Sequence, residues 1–327
     1  CALFAAITGS ASATIAAVGG LMIPAMKESN YKSSFSTGLV ASGGSIGILI
    51  PPSMPMLIYG FISGTSVGKL FIAGVLPGLI LAVLFSGYVV VRCLVKPSIA
   101  PNRGETYTAK ERLAGVPQLL PVVLLILLVL GSIYTGYATP TEAASIGVIG
   151  SFLFALLNRK VNWEMIKESL LSTVSTTAMI MLIVMAAAYF SVAIGYIGIP
   201  RYLAALVTSS NISPYVVMLL VSIFYLILGC LVDGTSMVVM SVPLVLPMVQ
   251  AAGFDPLWFG IYLIIMVQIA QVTPPVGFNL FVINGMTGMN MWKIAKSALP
   301  FFLLMLAYVI FIIAFPDSVL WLPNRMM

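Results

Sequence analysis

Two regions of this sequence set small polar residues and glycines beside a double proline, in otherwise apolar surroundings. The first joins Thr8-Gly9-Ser10-Ala11-Ser12 to Gly43-Gly44-Ser45-Ile46-Gly47-Ile48-Leu49-Ile50-Pro51-Pro52-Ser53. The second joins Asp233-Gly234-Thr235-Ser236 to Gln271-Val272-Thr273-Pro274-Pro275-Val276-Gly277-Phe278-Asn279. A proline pair breaks a helix, because its rings remove N–H donors and clash with the preceding turn. The broken ends leave carbonyls unpaired on one side and N–H groups on the other. Carbonyls with a Ser or Thr hydroxyl suit a hard monovalent cation such as Na⁺, and N–H ends suit a carboxylate.

The elements that must carry these breaks are membrane helices. Of 327 residues, 61% are hydrophobic and 7% charged, with a mean hydropathy of +1.12. Soluble domains carry about 25% charged residues, so a soluble globular protein is excluded. Lipid cannot satisfy the bare carbonyls of a broken helix, so such a break must line a cavity or bind something. The chain has no histidine, which removes Ser-His-Asp triads, His-ligated zinc and His proton relays. Cys1, Cys93 and Cys230 are scattered and suggest neither a metal cage nor a disulfide framework. The net charge of +6 fits loops anchored on one membrane face rather than nucleic acid. The chain opens at Cys1 inside an apolar run, Cys1–Ile7, with no charged region before it. This reads as an N-terminally truncated chain, not a signal peptide.

The apolar runs predict helices over Ala11–Met26, Ser34–Ile50, Met54–Ile62, Leu70–Val91, Pro117–Ile133, Ala143–Leu157 and Thr173–Ile194. Further runs cover Tyr215–Val232, Met237–Gln250, Leu257–Val272, Phe278–Met286 and Trp292–Phe315. Lys96–Gly115 reads as a polar loop, Asn158–Lys167 as an amphipathic surface helix, and Pro200–Ser210 as a short re-entrant or interfacial piece. Pro24 and Pro247, Pro51-Pro52 and Pro274-Pro275, and Pro77 and Pro300 all stand 223 residues apart. The constant offset predicts a duplicated unit in which Ser10 matches Asp233 and Ser12 matches Thr235. An odd number of crossings between the copies inverts the second one, which is the signature of a secondary transporter. This topology puts Lys27, Lys32, Arg92, Lys96, Arg103, Lys110, Arg112, Arg159, Lys160, Lys167, Lys293 and Lys296 on one face. Lys69, Arg201 and Arg325 fall on the other. The positive-inside rule assigns the first face to the cytoplasm.

Single residues keep two readings each. Asp233, the only intramembrane acid in either unit, is a functional membrane acid or a helix cap. Glu142 follows Pro140 at a helix start and reads as a dipole partner rather than a proton relay. Arg201 meets an anionic substrate or snorkels to the interface.

Several runs bear a further resemblance. They are Gly229-Cys230-Leu231-Val232-Asp233-Gly234-Thr235-Ser236-Met237, Ile269 to Phe281 through Thr273-Pro274-Pro275-Val276-Gly277, Gly44 to Ser53, and Tyr137 to Ala144. The chain resembles, over essentially its whole length, the large membrane (M) subunit of tripartite ATP-independent periplasmic (TRAP) transporters. The resemblance implies an all-α polytopic membrane protein with re-entrant hairpins and broken helices, working as an elevator in the bacterial or archaeal inner membrane. It implies uptake of a small carboxylate with co-transported Na⁺, no organic cofactor, and no enzymatic activity. The implied partners are a small membrane (Q) subunit, a periplasmic substrate-binding (P) protein and the lipid bilayer, with no nucleic acid. A stand-alone anion carrier of similar architecture is the alternative.

The resemblance also implies one ion site near Ser10, Ser12, Gly47, Ile50 and Pro52, and a second near Gly234, Thr235, Ala270, Thr273 and Val276. Ser53, Asp233, Ser236, Pro275, Asn279 and Arg201 are the candidates for substrate contact. The division expected is repeat 1 over 1–90, a loop and scaffold spans over 91–213, repeat 2 over 214–315, and a tail over 316–327. The family's first scaffold helices and the first arm of its first hairpin are expected to be missing. Gln268 stands where the resemblance places an acid.

Overall fold

The computed structural model describes residues 1, 4, 8–100, 116–209 and 212–326. Most of the Lys96–Gly115 loop, with Arg103, Lys110 and Arg112, and five residues of the Cys1–Ile7 run lie outside the described residues. Among the described residues the chain is helical and has no strand. In order the helices are α1 (Ala11–Glu28), α2 (Ser33–Ser45), α3 (Met54–Ser63), α4 (Val67–Val95), α5 (Val116–Tyr134), α6 (Pro140–Leu157) and α7 (Trp163–Ile197). They continue as α8 (Ile199–Ser209), α9 (Pro214–Gly229), α10 (Gly234–Ala251), α11 (Pro256–Gln271), α12 (Phe278–Thr287), α13 (Met291–Ala314) and α14 (Asp317–Met326). Helices α4, α6, α7, α10 and α13 are long and apolar enough to cross a membrane. Helices α3, α9 and α11 are apolar but shorter than the roughly 20 residues a crossing needs. The short ones are the half-helices and a hairpin arm that the double prolines and polar tips predict.

The duplication is visible in the helix ends. α1 and α10 both have 18 residues, and Ser10 and Asp233 cap them through their side chains. α2 and α11 also begin 223 residues apart, and both Pro51-Pro52 and Pro274-Pro275 bonds are cis. Beyond the breaks the register changes. Met54 and Phe278 start α3 and α12, Gly64 and Gly288 end them in the left-handed conformation, and Ser66 and Asn290 cap the next helices. These pairs stand 224 residues apart, because repeat 2 holds one more residue between its prolines and the following helix. The gapless offset therefore holds only up to the break, and Pro77 and Pro300 are one position out of step in α4 and α13.

The two copies enter from opposite ends. The Lys32 N–H donates to the Ile99 carbonyl at 3.1 Å, placing the start of α2 beside the end of α4. Gly38 of α2 lies directly on the Ser297 backbone in the first turns of α13. At the other end, the Tyr59 hydroxyl donates to the Pro256 carbonyl at 2.6 Å, and Gly260 of α11 lies against Tyr59 and Leu70. Thus Lys32, Lys96, Lys293 and Lys296 gather at one end, whereas Lys69 belongs with the start of α11. The copies also interlock. α1 packs on α2 and on α12 of the other repeat, and α10 packs on α11 and on α3. Ile15, Val40, Ala41, Leu280, Ile283 and Ile294 form the apolar core of the first group. Hairpin α9–α10 is fastened to α11 by the Ser222–Tyr262 hydroxyl pair at 2.7 Å and internally by Tyr225 donating to Ser241 at 2.9 Å.

The chain divides into two compact units, Cys1–Arg103 with Tyr189–Met327, and Gly104–Ala188. The two repeats and the contacts between them described above belong to the first. In the second, α5 and α6 run antiparallel, with Val129 against Gly147 and Leu125 against Gly150. Thr139 and Glu142 form a reciprocal capping box at the start of α6, which gives Glu142 the structural role read from Pro140. The surface helix expected over Asn158–Lys167 is not a separate element. α6 ends at Leu157, and Trp163–Lys167 are the first turns of the 35-residue α7. The Asn162 carboxamide caps that start by accepting from the Met165 N–H at 2.7 Å.

Candidate ion and substrate site

Each polar tip rests on a proline break of its own repeat. Gly9 has φ +58°, a conformation open to glycine, and a side-chain carbon placed on it would stand 3.0 Å from the Pro52 carbonyl oxygen. Ser10 and Ser12 follow at once, with their hydroxyls 3.1 Å apart. Thr14, fully buried, donates to the Ser10 carbonyl at 2.8 Å and meets the Thr8 hydroxyl at 2.8 Å. Opposite them, α2 tightens into a 3-10 turn over Ile46–Ile48 before the prolines. The buried Ser53 hydroxyl reaches back across the break to the Ile48 carbonyl. Ile50 is held from behind by Gly78 of α4. The structure therefore brings Ser10, Ser12, Pro52 and Ser53 to one place, with Gly47 and Ile50 in the adjoining turn.

The second tip repeats the arrangement with other residues. The Val276 N–H donates to the Cys230 carbonyl at 3.3 Å, joining the break to the hairpin. Gly229 lies on Ala270, and Gly234 lies on Val267, with the Gln271 Nε2 atom 3.2 Å from where a side-chain carbon would stand. Thr273 donates through its hydroxyl to the Ile269 carbonyl at 2.6 Å and through its N–H to Ala270 at 3.1 Å. The Thr235 hydroxyl makes no hydrogen bond among the described residues, while its N–H is held by Asp233. Close approach depends on a glycine at each tip contact. In repeat 1 it is Gly44, on α2, against Ile15 and Ala11; in repeat 2 it is Gly234, on the hairpin.

The candidate substrate residues part company. Asp233 takes the cap reading: one oxygen accepts from the Thr235 and Ser236 N–H groups at 2.9 and 3.1 Å, and the other accepts the Ser236 hydroxyl. Ser236 is thereby tied to the same cap. Pro275 is exposed at the break. Asn279 is fully buried, and its Nδ2 donates to the Ala41 carbonyl of α2 at 3.2 Å. Its amide joins the two broken helices to each other. Arg201 is exposed on α8, which packs along α10, and among the described residues no hydrogen bond or ion pair links it to either tip. Thr14, Gly229 and Gln271 were not among the predicted residues. Thr14 had a sequence signal, since its hydroxyl falls four residues after Ser10 and can reach that carbonyl along a helix. A cavity of about 340 Å³ lies elsewhere, between the starts of α9 and α14, lined by Tyr215, Asp255, Trp258 and Asp317.

Replacing Asn279 by Ala should test the cross-repeat bond. It removes one buried hydrogen bond between the repeats, while the Ala41 carbonyl stays within the α2 ladder, a loss of about 1 kcal/mol. Thermal unfolding of the purified permease should show a lowered midpoint, and a smaller cost would mean that the bond is replaced by another donor.

Interlocked, oppositely entering repeats with capped tips on proline breaks, in a chain of apolar spans, define a polytopic membrane transport protein rather than an enzyme. The family model described as "Tripartite ATP-independent periplasmic transporter, DctM component" matches residues 1–318. The chain belongs to that family, a family of inner-membrane permeases. It is 37% identical over 325 residues to the C4-dicarboxylate TRAP transporter large permease protein DctM of Pseudomonas aeruginosa, covering 99% of this chain and 75% of that one. It is 31% identical to the sialic acid large permease protein SiaM of Vibrio cholerae, covering 98% and 75%. It is 32% identical to the ectoine/5-hydroxyectoine large permease protein UehC of Ruegeria pomeroyi, again covering 98% and 75%.

Proposed function

We propose that this permease takes up a small organic acid together with Na⁺, receiving it from a periplasmic binding protein and working beside a small membrane subunit. The observation that carries the reading is the tip-on-break contact made twice: Gly9 on Pro52, and Cys230 on Val276. Each contact gathers main-chain carbonyls of the break with the hydroxyls of Ser10 and Ser12, or of Thr235 and Thr273. Such oxygen clusters suit Na⁺, and the N-terminal ends of α3 and α12 beside them favour a carboxylate. Ion and acid then share one neutralised site, so neither crosses alone at low cost.

An elevator mode of movement is part of the proposal. The Ser222–Tyr262 hydroxyl pair holds hairpin α9–α10 to α11, and Tyr225–Ser241 ties its two arms together. The second hairpin is therefore fastened to its broken helix, and in this reading alternating access falls to movement of the repeats together. The names of the relatives span C4-dicarboxylates, sialic acid and ectoine. All three are small molecules bearing a carboxylate, and that is the substrate class proposed.

The test is uptake into vesicles holding the complete permease with its partner subunits, under an inward Na⁺ gradient and under K⁺ alone. Accumulation should require Na⁺ and the cognate binding protein. Equal accumulation in K⁺ would reject the coupling.

A further inference from the structure

The last turn of α11 carries two glutamines whose amides have no partners. Gln268 is 0% exposed, and neither its Oε1 nor its Nε2 is hydrogen-bonded among the described residues. The Gln271 Oε1 is likewise buried and unpartnered. Residues three apart share a side of a helix. The second hairpin tip rests at the Gln271 end of this pair: Gly234 touches Val267 and lies beside the Gln271 amide, with Gln268 one turn before it. Polar atoms so deeply buried are met by something, because an amide without partners is costly to hold out of water.

Two acceptor oxygens and one NH₂ group are left open. A lone water would meet all three, so the setting has to decide. The atoms sit at the C-terminal end of α11, the negative end of its dipole, where a cation is favoured. The unengaged Thr235 hydroxyl belongs to the tip lying on this turn, and Ala270 and Thr273 flank the glutamines. Repeat 1 has Ser45 and Ile48 at the matching positions. There the Ser45 hydroxyl is spent on the Ser42 carbonyl at 2.7 Å, and Ile48 has no polar group.

We infer that Gln268 and Gln271 supply amide-oxygen ligands to a Na⁺ ion at the second tip, through their Oε1 atoms. Gln268 Nε2 then donates to a water retained by the ion. The two ion sites are unequal in consequence: the first is built from main chain and hydroxyls, the second also from side-chain amides. The inference rests on the Na⁺-coupling reading and deepens it at one site.

The test is thermal stabilisation of the purified, complete permease by NaCl, with KCl as the control, for wild type, Gln268→Leu, Gln271→Leu and Gln268→Glu. Either leucine variant should raise the half-stabilising Na⁺ concentration about tenfold, the equivalent of one weakened ligand. Without Na⁺ its unfolding midpoint should be no lower than wild type, because a stranded amide has been removed. Gln268→Glu should shift the concentration the opposite way, since a carboxylate binds the ion more strongly. A change of opposite sign cannot come from misfolding. Leucine variants with the wild-type Na⁺ midpoint would overturn the amide site and leave a bridging water in its place. No Na⁺ response in wild type would overturn the coupling reading and the amide site together.

Discussion

Replacing Gly9 by Val should reduce Na⁺-dependent uptake about a hundredfold, whereas Gly64→Val should leave its Na⁺ dependence unchanged. The comparison separates backbone strain from the contact at the break. Both glycines are left-handed, with φ +58° and +70°. Valine is strained in that region at either position, by a similar amount. What differs is the neighbour. At Gly9 a side-chain carbon would stand 3.0 Å from the Pro52 oxygen and 3.7 Å from the Met54 nitrogen, both main chain at a helix break. Main chain at a break cannot rotate away as a side chain would. The tip must lift, carrying Ser10 and Ser12 off the 3-10 turn. At Gly64 nothing lies within 4 Å. A hundredfold loss corresponds to about 2.7 kcal/mol, which is the scale expected for losing more than one ion contact. Uptake and its Na⁺ half-saturation should be measured for both variants in vesicles, after matching protein amounts. Equal losses would mean that strain alone is responsible and that the Gly9–Pro52 contact has no part in ion binding.

Much of this architecture is legible in the sequence because prolines are rigid markers. Each pair removes a donor and fixes φ, so its place along the chain survives whatever the neighbouring side chains are. Hence α1, α2, α10 and α11 begin where the proline offset puts them. The same marker misleads beyond the break. Pro77 and Pro300 keep the 223 offset, while the helices holding them follow one of 224. A proline tolerated inside a long helix does not define the register, whereas the caps Ser66 and Asn290 do. The hydrogen-bond partners of the substrate candidates are hidden in the sequence for a different reason. Asn279 finds its partner in a main-chain oxygen 238 residues away, and a carbonyl has no residue type to recognise. At Asp233 a tip and a helix start coincide, and the two N–H groups it accepts from, which make it a cap, are visible only in three dimensions. Gln268 shows the same limit: its identity is plain in the sequence, but its lack of partners exists only in three dimensions.

The double variant Ser12→Ala with Thr235→Ala should abolish Na⁺-dependent uptake without loss of expression, and the two single variants should not be equivalent. Each change removes one hydroxyl at matching positions of the two repeats. In repeat 1 the Ser12 hydroxyl is already paired with Ser10, at 3.1 Å, and Thr14 and Thr8 add further oxygens nearby. Losing one of several clustered oxygens should weaken that site by less than tenfold, about 1 kcal/mol. In repeat 2 the Thr235 hydroxyl has no competing hydrogen bond among the described residues, and the neighbouring Ser236 hydroxyl is bound to Asp233. Its loss falls on the ion, with the Thr273 hydroxyl, already donating to the Ile269 carbonyl, and the glutamine amides as the remaining side-chain oxygens. Na⁺ titrations of uptake should therefore show a small rightward shift for Ser12→Ala and a larger one for Thr235→Ala. The Hill coefficient should fall toward one for the latter, as one ion site drops out of the working concentration range while the other stays. Removing both hydroxyls leaves each tip short of ligands, and cooperative coupling lets neither site rescue the other. Equal shifts for the two single variants would show that the sites are alike, and wild-type Na⁺ dependence in the double variant would remove both tips from the ion pathway.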